Sequence, residues 1–222
     1  ALPLTRYAGL FRLYNQIPGQ SDNAKLFALA QIARHTAPGD LVEIGSLYGK
    51  SAFALAWLAH WHRLGSLVCV DPWELAASSH QGEAARLVNA AVRGLDWQHA
   101  FLGFAASLAP FERVAYIRQA SEAGAAHYRD VAAAGHIDTP EFGRVPIEGR
   151  IAILHIDGNH QFESVRRDLD AWLPFVQPGG WVLFDDYLWA FGDGPKRVGD
   201  ALLLERTIRT AFVAADTLFV QV

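Results

Sequence analysis

The chain has 222 residues, of which 51% are hydrophobic, 12% aromatic and 19% charged, a composition that suits one packed domain over residues 1–222 and excludes bulk disorder. Its formal net charge of −4 provides no basic face for counterion release along a phosphate backbone, so the expected partner is a small molecule and not a nucleic acid. The one cysteine, Cys69, cannot close an intramolecular disulfide, no apolar run reaches the roughly 20 residues of a membrane span, and no signal-peptide pattern opens the sequence, so a soluble cytoplasmic protein, alone or as a homo-oligomer, is expected.

Along the chain, residues 1–38 read as a helical segment whose main helix starts at Ser21 or Asp22, both good N-cap types, and runs to about His35 before Pro38-Gly39 stops it. Five apolar, β-branched runs follow at 40–44, 66–70, 113–117, 151–156 and 180–184. Helical patterns at 50–61, 83–92, 162–173 and 197–208 are interleaved with them, and a terminal hairpin is expected from 210–213 and 217–222. This alternation predicts a Rossmann-like, doubly wound α/β fold with a mostly parallel seven-stranded sheet and an antiparallel C-terminal strand. Two stretches, 74–110 (partly helical) and 129–150 (rich in Pro and Gly), lack strand character and are expected to be lids or subunit contacts.

The first strand runs into Glu43-Ile44-Gly45-Ser46-Leu47-Tyr48-Gly49-Lys50, a turn with glycines four apart that opens a helix. Such a turn brings a ligand close to backbone N–H groups. The pattern lacks the Gly-x-Gly-x-x-Gly spacing of a dinucleotide diphosphate site, and the acid beside the first glycine suits a cationic ligand. Exchange of Gly45 should therefore abolish ligand binding and leave the fold largely intact. The second strand ends at Asp71, where a carboxylate either accepts ribose hydroxyls or caps the following turn.

The fourth strand ends in Asp157-Gly158-Asn159-His160 and the fifth in Asp185-Asp186-Tyr187. Adjacent parallel strands lie about 4.8 Å apart, so acids at neighbouring ends can share one cation, and all-oxygen ligands favour Mg²⁺, Mn²⁺ or Ca²⁺. His160 is read either as a general base or as an N-cap or solvent residue at the start of the next helix. His155 is a core histidine or a second site group. His60, His62, His80, His99, His127 and His136 show no ligand spacing, while Trp73, Trp97, Trp189 and Phe191 are core residues or pocket walls.

Taken together, Val42-Glu43-Ile44-Gly45, Ile156-Asp157-Gly158-x-His160 and the run from Pro178-Gly179-Gly180 to Asp185-Asp186-Tyr187 resemble the class I S-adenosylmethionine-dependent methyltransferases, in the family with macrocin O-methyltransferase-like and cephalosporin hydroxylase-like proteins. The resemblance implies that Glu43, Gly45, Ser46, Gly49, Asp71 and Asp157 bind S-adenosylmethionine and that Ser121 packs by its adenine. It also implies that Asp157, Asp185 and Asp186 hold a divalent metal, Mg among the candidates, and that His160 is the base acting on an acceptor hydroxyl. The expected activity is metal-assisted O-methylation of a sugar-like or phenolic small molecule. The alternatives are a hydroxylase on the same scaffold and a non-catalytic cofactor-binding module.

Overall fold

The computed structural model describes residues 2–78 and 81–222, so the reading of His80 lies outside the described residues. In chain order the elements are α1 (Leu4–Tyr14), α2 (Asn23–Ala33), β1 (Asp40–Ile44), α3 (Lys50–His62), β2 (Leu67–Val70), α4 (Leu75–Ser78), α5 (Arg86–Arg93), α6 (Trp97–Leu108) and β3 (Val114–Ile117). They continue with α7 (Ser121–Ala134), β4 (His136–Thr139), β5 (Gly143–Pro146), β6 (Ile151–Ile156), α8 (Phe162–Trp172), a 3-10 turn Leu173–Phe175, β7 (Val176–Phe184), α9 (Gly194–Glu205), β8 (Thr210–Ala214) and β9 (Thr217–Gln221).

Seven strands form one sheet in the order β3-β2-β1-β6-β7-β9-β8. The first five are mutually parallel, and β9 runs antiparallel to both of its neighbours, β7 and β8. The strand order reverses between β1 and β6, the crevice where open α/β sheets bind their ligands.

Alternation along the buried strands divides the core. Leu41, Cys69, Ile153 and Leu183 face the layer of α1, α2, α3 and α6, whereas Val42, Val68, Leu154 and Val182 face α7, α8 and α9. Helix α3 is buried at every position from Ser51 to Ala59, because α1 and α2 cover the side that a surface helix would give to water. Helix α2 starts as the sequence predicts, with Asp22 Oδ1 accepting from Lys25 N at 2.9 Å. Among the described residues no helix is long and apolar enough to cross a membrane.

The segment 129–150 departs from the expectation of a strandless lid. Its first part completes α7, and β4 and β5 then pair antiparallel, burying Ile137 and Val145. The end of the segment is tied to the amino ends of the parallel strands: Asp40 N donates to Arg150 O, and Asp40 Oδ2 accepts from Tyr128 and from the N–H groups of Glu148 and Gly149. That edge is opposite the carboxyl ends that form the site.

Candidate functional site

A cavity of about 530 Å³ lies across the carboxyl ends of β1, β2, β3 and β6, lined by Gly45, Asp71, Ser121, Asp157, His160 and Asp186 among others. Helix α5 and the chain around it supply Gln81, Val88, Val92 and Trp97 to its wall, so the 74–110 stretch covers the cavity, whereas none of 129–150 lines it.

The glycine turn is shaped by close packing. Gly45 and Gly49 adopt φ values of 84° and 83°, in the left-handed region that only glycine enters freely. A Cβ at Gly45 would stand 2.1 Å from the backbone oxygen of Asp157. Gly45 is therefore required by the contact between two strand ends as well as by any ligand, which corrects the expectation that its exchange would spare the fold.

Asp71 realises the turn-capping alternative. Its Oδ2 accepts from Ser46 N and Leu47 N, each at 3.0 Å, and its Oδ1 from Trp73 N at 2.7 Å. Burial still raises its pKa, even though these donors favour the anion. A carboxylate has about four acceptor sites, so room for a ligand hydroxyl remains.

Glu43, expected at the ligand, points elsewhere. Period-two alternation turns it toward the α1–α3 layer, where it is fully buried and bonds His155 Nδ1 at 3.0 Å. It does not line the cavity.

The acids of β6 and β7 do not form one three-carboxylate corner. Two overlapping sets place their ligand atoms within 4.8 Å of one another: His155, Asp157 and Asp185, and Asp157, His160 and Asp186. Asp186 takes a left-handed φ of 53°, and this turn sends it toward His160 while Asp185 stays inside. There the Lys25 ammonium, itself 1% exposed, sits 2.5 Å from Asp185 Oδ2, and Thr217 donates its hydroxyl to Oδ1. Burial alone would lower the Lys25 pKa, but Asp185 and Asp157 outweigh it and raise it. Burial would likewise raise Asp185, yet Lys25 and His155 hold it below the usual carboxylate range. Asp157, beside both aspartates, is pushed up by burial and by their charge.

His160 is held by Gln81. One oxygen, Gln81 Oε1, accepts from His160 N at 2.9 Å and faces Nδ1 at 2.8 Å. Because that oxygen cannot donate, Nδ1 carries the proton, and in the neutral ring Nε2 is the lone pair. Nε2 lies 2.6 Å from Asp186 Oδ2, off the line of a hydrogen bond. The ring leans on Trp189 with centroids 4.5 Å apart, and Phe191 packs edge-on against that indole. Trp73, by contrast, is a core residue at 1% exposure.

At the β3 end, Ser121 is the first residue of α7 and not its N-cap. Its Oγ accepts from Trp172 Nε1 at 3.0 Å, and burial pushes the carboxyl of Asp168, on α8, up to about 6, with the Ser121 hydroxyl acting against that rise.

The sequence reading missed Lys25, Gln81 and Asp168. Asp168 alone had a local signal: on α8 it shares the buried stripe of Val165, Leu169 and Trp172, where an acid is out of place. Lys25 and Gln81 meet partners 160 and 79 residues away, which no local pattern encodes.

Comparison with known proteins agrees with this architecture. The O-methyltransferase NovP aligns at a TM-score of 0.61 and 19% identity, over 89% of this chain and 79% of that one. TomG, the O-methyltransferase from Streptomyces achromogenes involved in tomaymycin synthesis and solved in complex with SAM, aligns at 0.55 and 16%, over 99% and 91%. The TDP-rhamnose 3'-O-methyltransferase CalS11 aligns at 0.52 and 17%, over 99% and 81%. An uncharacterized protein of Acanthamoeba polyphaga mimivirus is 46% identical over 37 residues, spanning 17% of each chain. The family model described as a methyltransferase domain matches residues 42–187, which contain the glycine turn, Asp71, Asp157, His160 and the Asp185-Asp186 pair, and the chain belongs to that family.

Proposed function

We propose that this protein transfers the methyl group of S-adenosylmethionine to a hydroxyl of a small molecule. The observation that carries the reading is the acidic cavity at the switch point, where Asp71, Glu122, Asp157, Asp168 and Asp186 outnumber Lys50 and Arg167. Its volume falls within the roughly 300–1,000 Å³ of small-ligand sites, and its acids suit a sulfonium cation.

In this reading Gly45, Ser46 and Gly49 admit the cofactor to the backbone, Asp71 offers its remaining acceptor capacity to the ribose, and Ser121 lies at the adenine end. His160 takes the acceptor proton on Nε2, and Asp186 stabilises the imidazolium that results. The hydroxyl oxygen forms its bond to the methyl carbon as the carbon–sulfur bond breaks, and S-adenosylhomocysteine leaves. Asp157 and Asp186 fit a divalent cation such as Mg²⁺, which is commonly bound by one or two carboxylates and water. When bound, the ion would lower the pKa of the acceptor hydroxyl. Asp185 supports the pair from behind, tied to Lys25. Neither ligand set among the described residues contains two histidines, so the site does not favour the hydroxylase reading.

Calorimetry with S-adenosylhomocysteine, followed by turnover on a panel of sugar and phenolic acceptors, tests the proposal. Binding and methyl transfer are expected. His160→Ala should lower turnover on the order of 10²–10⁴-fold, partly recovered at higher pH, with cofactor and metal affinity unchanged. No binding of either cofactor form overturns the reading, and full activity of His160→Ala overturns the base assignment.

A further inference from the structure

We propose that Gln81, itself clamped by Asn89 of α5, is the positioning residue that makes His160 a base, by holding the imidazole proton on Nδ1 and so leaving Nε2 free to accept one. The inference rests on the methyl-transfer reading, to which it adds the groups that orient the base.

Among the described residues of α5, Asn89 alone is buried, at 7% exposure, while Val88 and Val92 of the same helix line the cavity. A buried amide needs partners at both of its ends, and Asn89 finds both on the chain that precedes the helix. Its Oδ1 accepts from Gln81 N at 2.8 Å, and its Nδ2 donates to Gly82 O at 2.9 Å. These two bonds bracket residues 81 and 82 and fix the direction in which the Gln81 side chain leaves the backbone.

The far end of that side chain meets His160, 79 residues later. The orientation of the Gln81 amide is decided by His160 N. A backbone N–H only donates, so the atom 2.9 Å from it is Oε1 and not the NH₂ group. The same oxygen lies 2.8 Å from Nδ1, which must then be the protonated nitrogen.

A neutral imidazole has one proton for two nitrogens, and a second acceptor competes for it. Asp186 Oδ2 stands 2.6 Å from Nε2, and a carboxylate is a stronger acceptor than an amide oxygen. In a ring free to turn, the proton would settle on Nε2, and the nitrogen needed by the acceptor hydroxyl would be blocked. Gln81 prevents this because its oxygen is tied to the backbone of His160 as well as to the ring. It holds the ring where the contact between Nε2 and Asp186 lies off the line of a hydrogen bond. The helix that walls the cavity therefore also sets the tautomer of the base, through Asn89 and Gln81.

NMR of protein carrying isotope-labelled histidine, at a pH where the ring is neutral, reads which ring nitrogen holds the proton; the His160 signals are those lost in His160→Ala. Wild type should carry the proton on Nδ1 and Gln81→Leu on Nε2. Gln81→Glu, which restores an acceptor that cannot donate, should return it to Nδ1. Asn89→Ala, which alters neither the ring nor the cavity lining, should move part of the population to Nε2. Turnover of Gln81→Leu should fall on the order of 10²-fold in kcat, within the contribution of the base itself, with little change in KM. A proton on Nε2 in wild type, or one retained on Nδ1 in Gln81→Leu, overturns the proposal alone, and a wild-type tautomer in Asn89→Ala overturns the part assigned to α5. The tautomer is read without cofactor or acceptor, so it is separate from calorimetry with S-adenosylhomocysteine: absence of binding to wild type overturns the methyl-transfer reading and this proposal with it.

Discussion

Asp71 and Asp185 stand at the carboxyl ends of parallel strands in one sheet, at 6% and 5% exposure, and are stabilised in opposite ways. Asp71 gathers three backbone N–H groups from residues two to 25 positions away, and burial still leaves its pKa raised. Asp185 is held by the ammonium of Lys25, 160 residues earlier, and its pKa is lowered. Backbone dipoles fix the shape of the glycine turn around Asp71. A full opposite charge fixes the ionisation of Asp185 and ties α2 to the edge where the chemistry is proposed.

The largest expected effect comes from removing the cation. Lys25→Met leaves Asp185 buried and unpaired and should cost about 3–5 kcal/mol of unfolding free energy by chemical denaturation. Adding Asp185→Asn should recover much of that loss. A double variant no more stable than Lys25→Met would show that the lysine acts through packing and not through charge.

Asp168 sharpens the comparison as a buried carboxyl with neither a cation nor a set of backbone donors. Its folded pKa, at about 6, lies above the ordinary 3.8. The folded state therefore holds the extra proton between these values, and stability contributed by Asp168 is present below pH 4 and lost as pH rises through 6. Wild type should lose at most about 3 kcal/mol relative to Asp168→Asn across that window. Parallel stability–pH curves for the two proteins would remove this account.

Asp71→Asn should cost less, about 1–3 kcal/mol, because the amide retains one acceptor oxygen but turns an NH₂ toward backbone donors. Since those donors belong to Ser46 and Leu47, cofactor affinity should fall together with the melting temperature. Smallest is Arg166→Ala, which removes an exposed pairing with Asp170 and Glu205. It should cost under about 1 kcal/mol and nothing measurable in high salt, whereas the buried Lys25 pair should be insensitive to salt.

The legibility of these features in the sequence follows the same division. The apolar runs become β1, β2, β3, β6 and β7 because strands covered on both faces must be apolar throughout, and the Gly45–Gly49 turn is visible because its φ values demand glycine. Asp157, His160 and Asp186 come together because they end adjacent strands. The β4–β5 hairpin was not legible: each strand has four residues, and in β5 only Val145 is buried, too little to show a period. The inward turn of Glu43 follows from alternation that a five-residue apolar run conceals. Lys25 was invisible because its charge serves a carboxylate at the other end of the chain.

That long separation also bears on how the molecule assembles. A contact spanning 160 residues forms only once α2, near the start of the chain, and the end of β7 are brought together. Until α2 docks on the sheet formed by the later strands, Asp185 lacks its counter-ion, and the pocket around Asp157 cannot take its native charge state. Under the proposed function, binding competence should therefore depend on the docking of the N-terminal helices.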